Sequence, residues 1–136
     1  MKFKNLAEGY REQARIWFKI GRRALKDGDY NFAVLAAQEC VEFSIKGLLR
    51  SLSVESPKYH DVNKVLSANK ELLPRNVLLN LNRIIEISSN LALQRTEAAY
   101  GNEETGTPPS EIFNKKEAEL ALQDAAWVKK LCMKRA

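Results

Sequence analysis

The sequence contains little of what most protein metal centres require. Its 136 residues include a single histidine, His60, and two cysteines, Cys40 and Cys132, with no Cys-x-x-Cys pair. A structural zinc ion usually takes four cysteine or histidine ligands, so we do not expect a zinc site built by this chain. Each cysteine falls on an apolar helical stripe, and we expect both to be buried, reduced thiols. No metal is predicted.

Long apolar segments are also absent. The longest uninterrupted apolar run covers residues 32–37, whereas a membrane-spanning helix needs about 20 apolar residues. The same run is too short to serve as the apolar part of a signal peptide. We therefore expect a cytoplasmic protein that makes no contact with a membrane.

Charge and motif content exclude several classes of enzyme. The chain has 22 Lys and Arg against 17 Asp and Glu, a net charge of +5, which permits an RNA or acidic partner without requiring one. It lacks a Gly-rich phosphate loop, a Gly-x-Ser-x-Gly motif and the Glu-x-x-His repeats of ferritin-like bundles. No cofactor is predicted.

Apolar residues recur at steps of three and four along most of the chain, which is typical of helices. A chain of this length fits one domain. Residues 1–136 are therefore predicted to form a single all-α, up-and-down bundle of four long helices and one short one. The predicted helices cover residues 4–26, 30–52, 61–68 and 75–98, and the last begins at Asn114.

The first two helices carry matching stripes. On the first, small residues at positions 7, 14 and 21 alternate with Tyr10 and Trp17. On the second, one stripe consists of small residues: Ala33, Ala37, Cys40, Ser44, Gly47 and Ser51. We predict a tight antiparallel hairpin in which the second stripe receives the two aromatic rings.

A row of polar residues, Gln38, Glu42 and Lys46, crosses the otherwise apolar second helix at steps of four. Glu42 and Lys46 have the spacing of a favourable helical ion pair, so we interpret the row as structural. His60 and Asp61 directly precede the short helix. For these two residues a capping or packing role is predicted rather than catalysis.

Arg95 and Tyr100 are the candidate nucleotide- or RNA-binding residues. Arg95 takes the next position on a predicted apolar stripe of Leu78, Leu81, Ile85, Ser88 and Ala92. An arginine in such a place needs a partner or a path to solvent, and its guanidinium suits phosphate. Tyr100 follows beside the longest loop, residues 101–113. No catalytic residue is assigned.

The order and spacing of these features resemble the HEPN family (higher eukaryotes and prokaryotes nucleotide-binding). The shared features are the long hairpin, the Gln-x-x-x-Glu-x-x-x-Lys row, the His-Asp loop, Arg95 and the Ala-rich last helix. The resemblance implies a small helical bundle that is usually dimeric. In HEPN ribonucleases such an Arg is followed after four to six residues by a His, and two protomers join these motifs in a cleft. Here Tyr100 stands where that His is needed, and no His follows Arg95.

A tyrosine hydroxyl is a poor general base at neutral pH, and losing an acid–base group typically lowers a rate roughly 10²–10⁴-fold. The resemblance therefore predicts a non-catalytic or weakly active prokaryotic HEPN protein. It would form a homodimer and act with a minimal nucleotidyltransferase partner, or bind nucleotide or RNA. Two alternatives stay open. One is a ribonuclease toxin of a toxin–antitoxin module that uses Arg95 and Tyr100, and the other is a plain helical adaptor.

Overall fold

The computed structural model describes residues 2–55 and 61–133, the side chains of residues 2–4 excepted. Two short 3₁₀ turns, Lys70–Leu72 and Pro109–Glu111, join some of its α-helices. The helices are α1 Lys2–Asp27, α2 Tyr30–Ser51, α3 Val62–Ala68, α4 Arg75–Leu79, α5 Leu81–Tyr100 and α6 Lys115–Met133. The predicted all-α bundle is confirmed.

Helix α2 lies at the centre of the bundle, packed against α1, α5 and α6 and also touching α3. Its side chains Val34, Val41, Ile45 and Leu49 are at most 1% exposed, and burying each stabilises the fold by about 1.5–3 kcal/mol. The less buried residues recur at steps of three and four, so they form one outer strip. This outer strip of α2 consists of Phe32, Leu35, Glu39, Glu42, Phe43, Lys46 and Arg50.

Helices α1 and α2 form the predicted hairpin around a turn at Gly28, which has φ +82°. Two glycines allow the helices to approach closely. A methyl group on Gly47 would lie 3.2 Å from the Arg11 Cγ atom, and one on Gly21 would lie 3.1 Å from the Ala36 Cβ atom. Close packing therefore explains why these helix interiors tolerate glycine, which costs about 1 kcal/mol relative to alanine.

The prediction that the small residues of α2 receive the rings of Tyr10 and Trp17 is wrong in part. Tyr10 and Trp17 are only half-buried, whereas Ala7 and Ala14, on the same stripe, are fully buried. The Tyr10 ring lies at the edge of the hairpin, with its centroid 5.7 Å from that of Phe43. Trp17 packs against the buried core, whereas Tyr10 does not belong to that group.

The predicted helix over residues 75–98 is divided into α4 and α5 at Asn80. The Asn80 side chain donates a hydrogen bond from Nδ2 to the carbonyl oxygen of Asn76 at 2.7 Å. Asparagine side chains compete in this way with the backbone donors that would continue a helix. The backbone N–H of Asn80 instead reaches the Val77 carbonyl, and α5 begins with Leu81.

The segment after α5 is held by Gly101, whose φ is +75° and ψ is −160°. Asn102 and Thr107 exchange two backbone hydrogen bonds, of 2.9 and 3.0 Å, that close the loop beside it. Further on, Asn114 and Glu117 form the predicted capping box at the start of α6. The predicted inner face of α6 is buried, namely Ala118, Ala121, Ala125, Val128 and Cys132.

Candidate functional site

Arg95 lies on α5, a little more than one turn before the helix ends. Its Nη1 atom donates a hydrogen bond of 2.5 Å to Gln38 Oε1 and forms an ion pair with Glu39 Oε1. The Arg95 side chain is 50% exposed and that of Glu39 is 16% exposed, while Gln38 is buried. We call these three side chains the α2–α5 clasp, because they join the two helices across 56 and 57 residues of sequence.

The predicted apolar stripe that leads to Arg95 is wrong in part: Leu81 and Ser88 are buried as predicted, and its other members are not. Leu78 and Ala92 are exposed, and the buried side of α5 is Leu81, Ile84, Ile87, Ser88, Leu91 and Ala98. The break at Asn80 separates Leu78 from the helical phase of α5, and within α5 the buried side passes through Ile84, Ile87 and Leu91 rather than through Ile85 and Ala92. Arg95 follows Leu91 by four residues and precedes Ala98 by three, so it lies on the side of α5 that faces α2.

Tyr100 ends α5 and is 72% exposed. It lines an open cavity together with Thr96, Glu97, Gly101, Asn102, Glu103 and Glu104. The charged residues that line this cavity are three glutamates, and Arg95 is not one of its lining residues. Carboxylates repel phosphate, so the surroundings of Tyr100 within one chain do not favour a nucleotide.

The structure does not bring Arg95 and Tyr100 together within one chain. Each residue of an α-helix turns by about 100°, so two residues five apart differ in direction by about 140°. Arg95 accordingly faces α2, whereas Tyr100 lines the cavity beside residues 101–104. A cleft that used both side chains would need a second protomer.

The three residues of the polar row on α2 lie in different surroundings. Gln38 belongs to the clasp and also lines, with Glu42, a cavity of about 460 Å³ between α2, α5 and the start of α3. Asp61, Asn63, Ser88 and Ser89 provide its other polar lining. Lys46 does not pair with Glu42 among the described residues, and its Nζ atom lies 5.9 Å from the centroid of the Phe43 ring.

Asp61 caps α3, its carboxylate accepting a hydrogen bond of 2.9 Å from the backbone N–H of Asn63. The Asn63 side chain donates to Ser89 Oγ at 3.1 Å, and its buried Oδ1 atom has no hydrogen-bond partner. His60, named with Asp61 as a loop or capping residue, lies outside the described residues.

Both cysteines are free and buried. Burial raises the pKa of the Cys40 thiol to about 11 and that of Cys132 to about 12. Thiols held in the neutral form are poor nucleophiles and poor metal ligands. Within residues 2–55 and 61–133, no three acidic, histidine or cysteine side chains are grouped to hold a metal ion.

Glu39 is the site residue that the sequence patterns missed. It precedes Cys40 on α2 and lies one position from the polar row, so no periodic signal distinguishes it. Its importance comes only from the approach of α5, which places Arg95 against it.

Comparison with known families decides the classification. A family model for the HEPN domain matches residues 7–135. The chain belongs to the HEPN family.

A solved structure supports the same fold. The crystal structure of an archaeal HEPN homologue matches this HEPN chain with a TM-score of 0.69 and 23% identity, covering 93% of each chain. At that identity the likeness establishes the fold alone. No curated protein shows significant similarity to the chain. No helix in the described part of the chain is long and apolar enough to cross a bilayer.

Proposed function

We propose that this protein is a non-catalytic HEPN protein that self-associates and serves as a binding partner, for a nucleotidyltransferase or for nucleotide or RNA. The observation that carries the non-catalytic part is the α2–α5 clasp. The Arg95 Nη1 atom is already bound by Glu39 and Gln38, so a phosphate that approached this guanidinium would meet the negative charge of the Glu39 carboxylate beside it. A gene for a small nucleotidyltransferase beside this one would favour the first kind of partner.

The position of Tyr100 adds to this proposal. A ribonuclease that cleaves by acid–base chemistry needs a proton donor or acceptor within hydrogen-bond reach of the reacting atoms. Tyr100 is exposed beside Glu97, Glu103 and Glu104 and does not share a cavity with Arg95.

We expect purified protein to leave labelled single-stranded RNA intact, and Arg95→Ala to be indistinguishable from the parent. Tyr100→His should also remain inactive, because the new imidazole would lie among glutamates and not beside Arg95. Gel analysis of RNA incubated with each protein and without protein gives the answer. Cleavage that disappears in Arg95→Ala, or that appears in Tyr100→His, would instead favour the ribonuclease toxin.

Self-association is supported by apolar side chains on the outer strip of α2. Phe32 is 59% exposed although it belongs to the most buried helix of the bundle, and Leu35 lies beside it on the strip, half-buried. Apolar residues grouped on an otherwise buried element commonly mark an interface. A symmetric dimer through this strip would place the two clasps near each other.

We expect Phe32→Glu to convert the dimer to a monomer, because it places a charge in the apolar centre of the proposed interface. Light scattering measures the mass directly, and a chain of 15.5 kDa distinguishes the two states clearly. Leu120→Glu is the matched control, since Leu120 is 55% exposed on α6. A parent protein of monomer mass, or equal loss of dimer in both variants, contradicts this interface.

A further inference from the structure

A third cavity lies where α1 ends and where α2 and α6 begin. Its volume is about 800 Å³, which is within the range of sites that bind small molecules. It is lined by Arg22, Arg23, Leu25, Lys26, Asp27, Gly28, Tyr30 and Lys115. We call it the basic cleft.

Positive charge is concentrated around this cleft. Four cationic side chains and one carboxylate line it, a balance of 4 − 1 = +3, against +5 for the whole chain. Asp27 accepts a hydrogen bond of 3.1 Å from Arg23 Nε. The carboxylate is therefore already paired, and Arg22, Lys26 and Lys115 are left exposed around the cleft.

Helix stability alone does not explain this arrangement. Cations in the last turn of α1 suit the negative end of that helix dipole, which accounts for Lys26. Lys115, however, is the first residue of α6, where the positive end of the dipole disfavours a cation. Cations from the end of α1 and from the start of α6 thus meet at one cavity, and an anion bound there would offset both.

We propose that the basic cleft binds phosphate groups, and that the natural ligand is the backbone of an RNA strand. Exposed, flexible cations follow a polyanion well, whereas a pocket that selects one free nucleotide usually has more apolar lining. Tyr30 lines the cleft and packs in part against the core, which leaves only its exposed part for contact with a base.

The site is separate from the HEPN motif, since neither Arg95 nor Tyr100 lines it. The inference deepens the RNA-binding arm of the proposed function and rests on it. It requires neither a dimer nor a nucleotidyltransferase.

The test is the fluorescence anisotropy of labelled oligouridylate titrated with the full chain at several salt concentrations. The triple variant Arg22→Gln, Lys26→Gln, Lys115→Gln should weaken binding at low salt at least tenfold. Each phosphate contact on a single strand contributes about 0.7 to the slope of log affinity against log salt, so the slope should fall by about 2. The Arg23–Asp27 pair is left intact in this variant.

A charge-matched control distinguishes RNA binding at the basic cleft from a general attraction of RNA to positive charge. Lys64→Gln, Lys70→Gln, Arg75→Gln removes the same charge from exposed residues of α3, the following 3₁₀ turn and α4, and should retain most of the affinity. The proposal that RNA binds at the basic cleft would be overturned by equal losses of affinity in both triple variants, by no loss in either, or by no RNA binding by the parent.

Competition with ATP identifies the source of the phosphate. If ATP binds at least as tightly as the oligonucleotide and loses affinity only in the cleft variant, the ligand of the cleft is a free nucleotide. Weak ATP binding together with cleft-dependent RNA binding assigns it to an RNA strand. RNA cleavage and light scattering are measured separately, so a failure of the non-catalytic or dimer proposal is distinguishable from a failure of the cleft.

Discussion

Replacing Gly101 by alanine is expected to lower the free energy of unfolding by about 3 kcal/mol or more. Gly101 has φ +75° and ψ −160°, a backbone conformation almost restricted to glycine. A methyl group there would overlap the Thr107 carbonyl oxygen and lie 3.0 Å from backbone atoms of Pro108 and Pro109. These neighbours are backbone and cannot rotate away. Urea unfolding followed by circular dichroism measures the loss.

Gly106→Ala is the matched control for this substitution. Gly106 also has a positive φ, of +71°, but a methyl group on it would meet nothing within 4 Å. We expect a loss of about 1 kcal/mol, from backbone strain alone. Equal losses at the two positions would show that the contact with residues 107–109 does not hold the end of α5.

Replacing Arg95 by alanine is expected to lower the free energy of unfolding by about 2 kcal/mol, although half of the side chain is exposed. A hydrogen bond to a charged group contributes roughly 1.5–3 kcal/mol, and solvent screening lowers that figure here. The larger part of the cost comes from the acceptors left behind. Gln38 Oε1 belongs to a buried residue, and Glu39 is mostly buried, so both would lose their partner away from bulk water.

Arg95→Lys should recover only part of this stability. The guanidinium reaches Gln38 and Glu39 together in a fixed planar geometry, whereas an ammonium group presents a single charge on a flexible stem. Urea unfolding of the lysine variant supplies the comparison. Full recovery by lysine would show that charge alone joins the two helices.

Local periodicity was sufficient to predict most of the fold. The small residues of α1 and α2 recur at steps of three and four, and that pattern predicted the close hairpin that Gly21 and Gly47 make possible. The capping box at Asn114 could also be predicted, because its partner Glu117 is only three residues away. Features of this kind depend on neighbours in sequence.

Features that depend on distant contacts could not be predicted in the same way. The division at Asn80 rests on a side chain that bonds its own backbone, which apolar spacing does not reveal. The predicted stripe also named Ala92 where the structure buries Leu91, because the buried side of α5 is set by its contact with α2. The basic cleft is assembled from the end of one helix and the starts of two others, and no single run of residues shows it.

The candidate site contains one residue that could be predicted from the sequence and one that could not. Arg95 could be recognised because an arginine among apolar positions is unusual, and the family pattern pointed to the same residue. Its partner Glu39 could not, since 56 residues separate the two. The pairing of Arg95 with Tyr100 came from their spacing, but the helical rotation between them directs the two side chains to different surroundings.

A double-mutant cycle on Arg95 and Glu39 tests most directly whether the HEPN arginine is bound within its own chain. The free energy of unfolding is measured by urea titration for the parent, Arg95→Ala, Glu39→Ala and the double variant. A clasp predicts that the double variant loses less than the sum of the single losses, with a coupling of about 1 kcal/mol. A coupling of zero, with Arg95→Ala as stable as the parent, would show that Arg95 is free to bind a phosphate and would contradict the account.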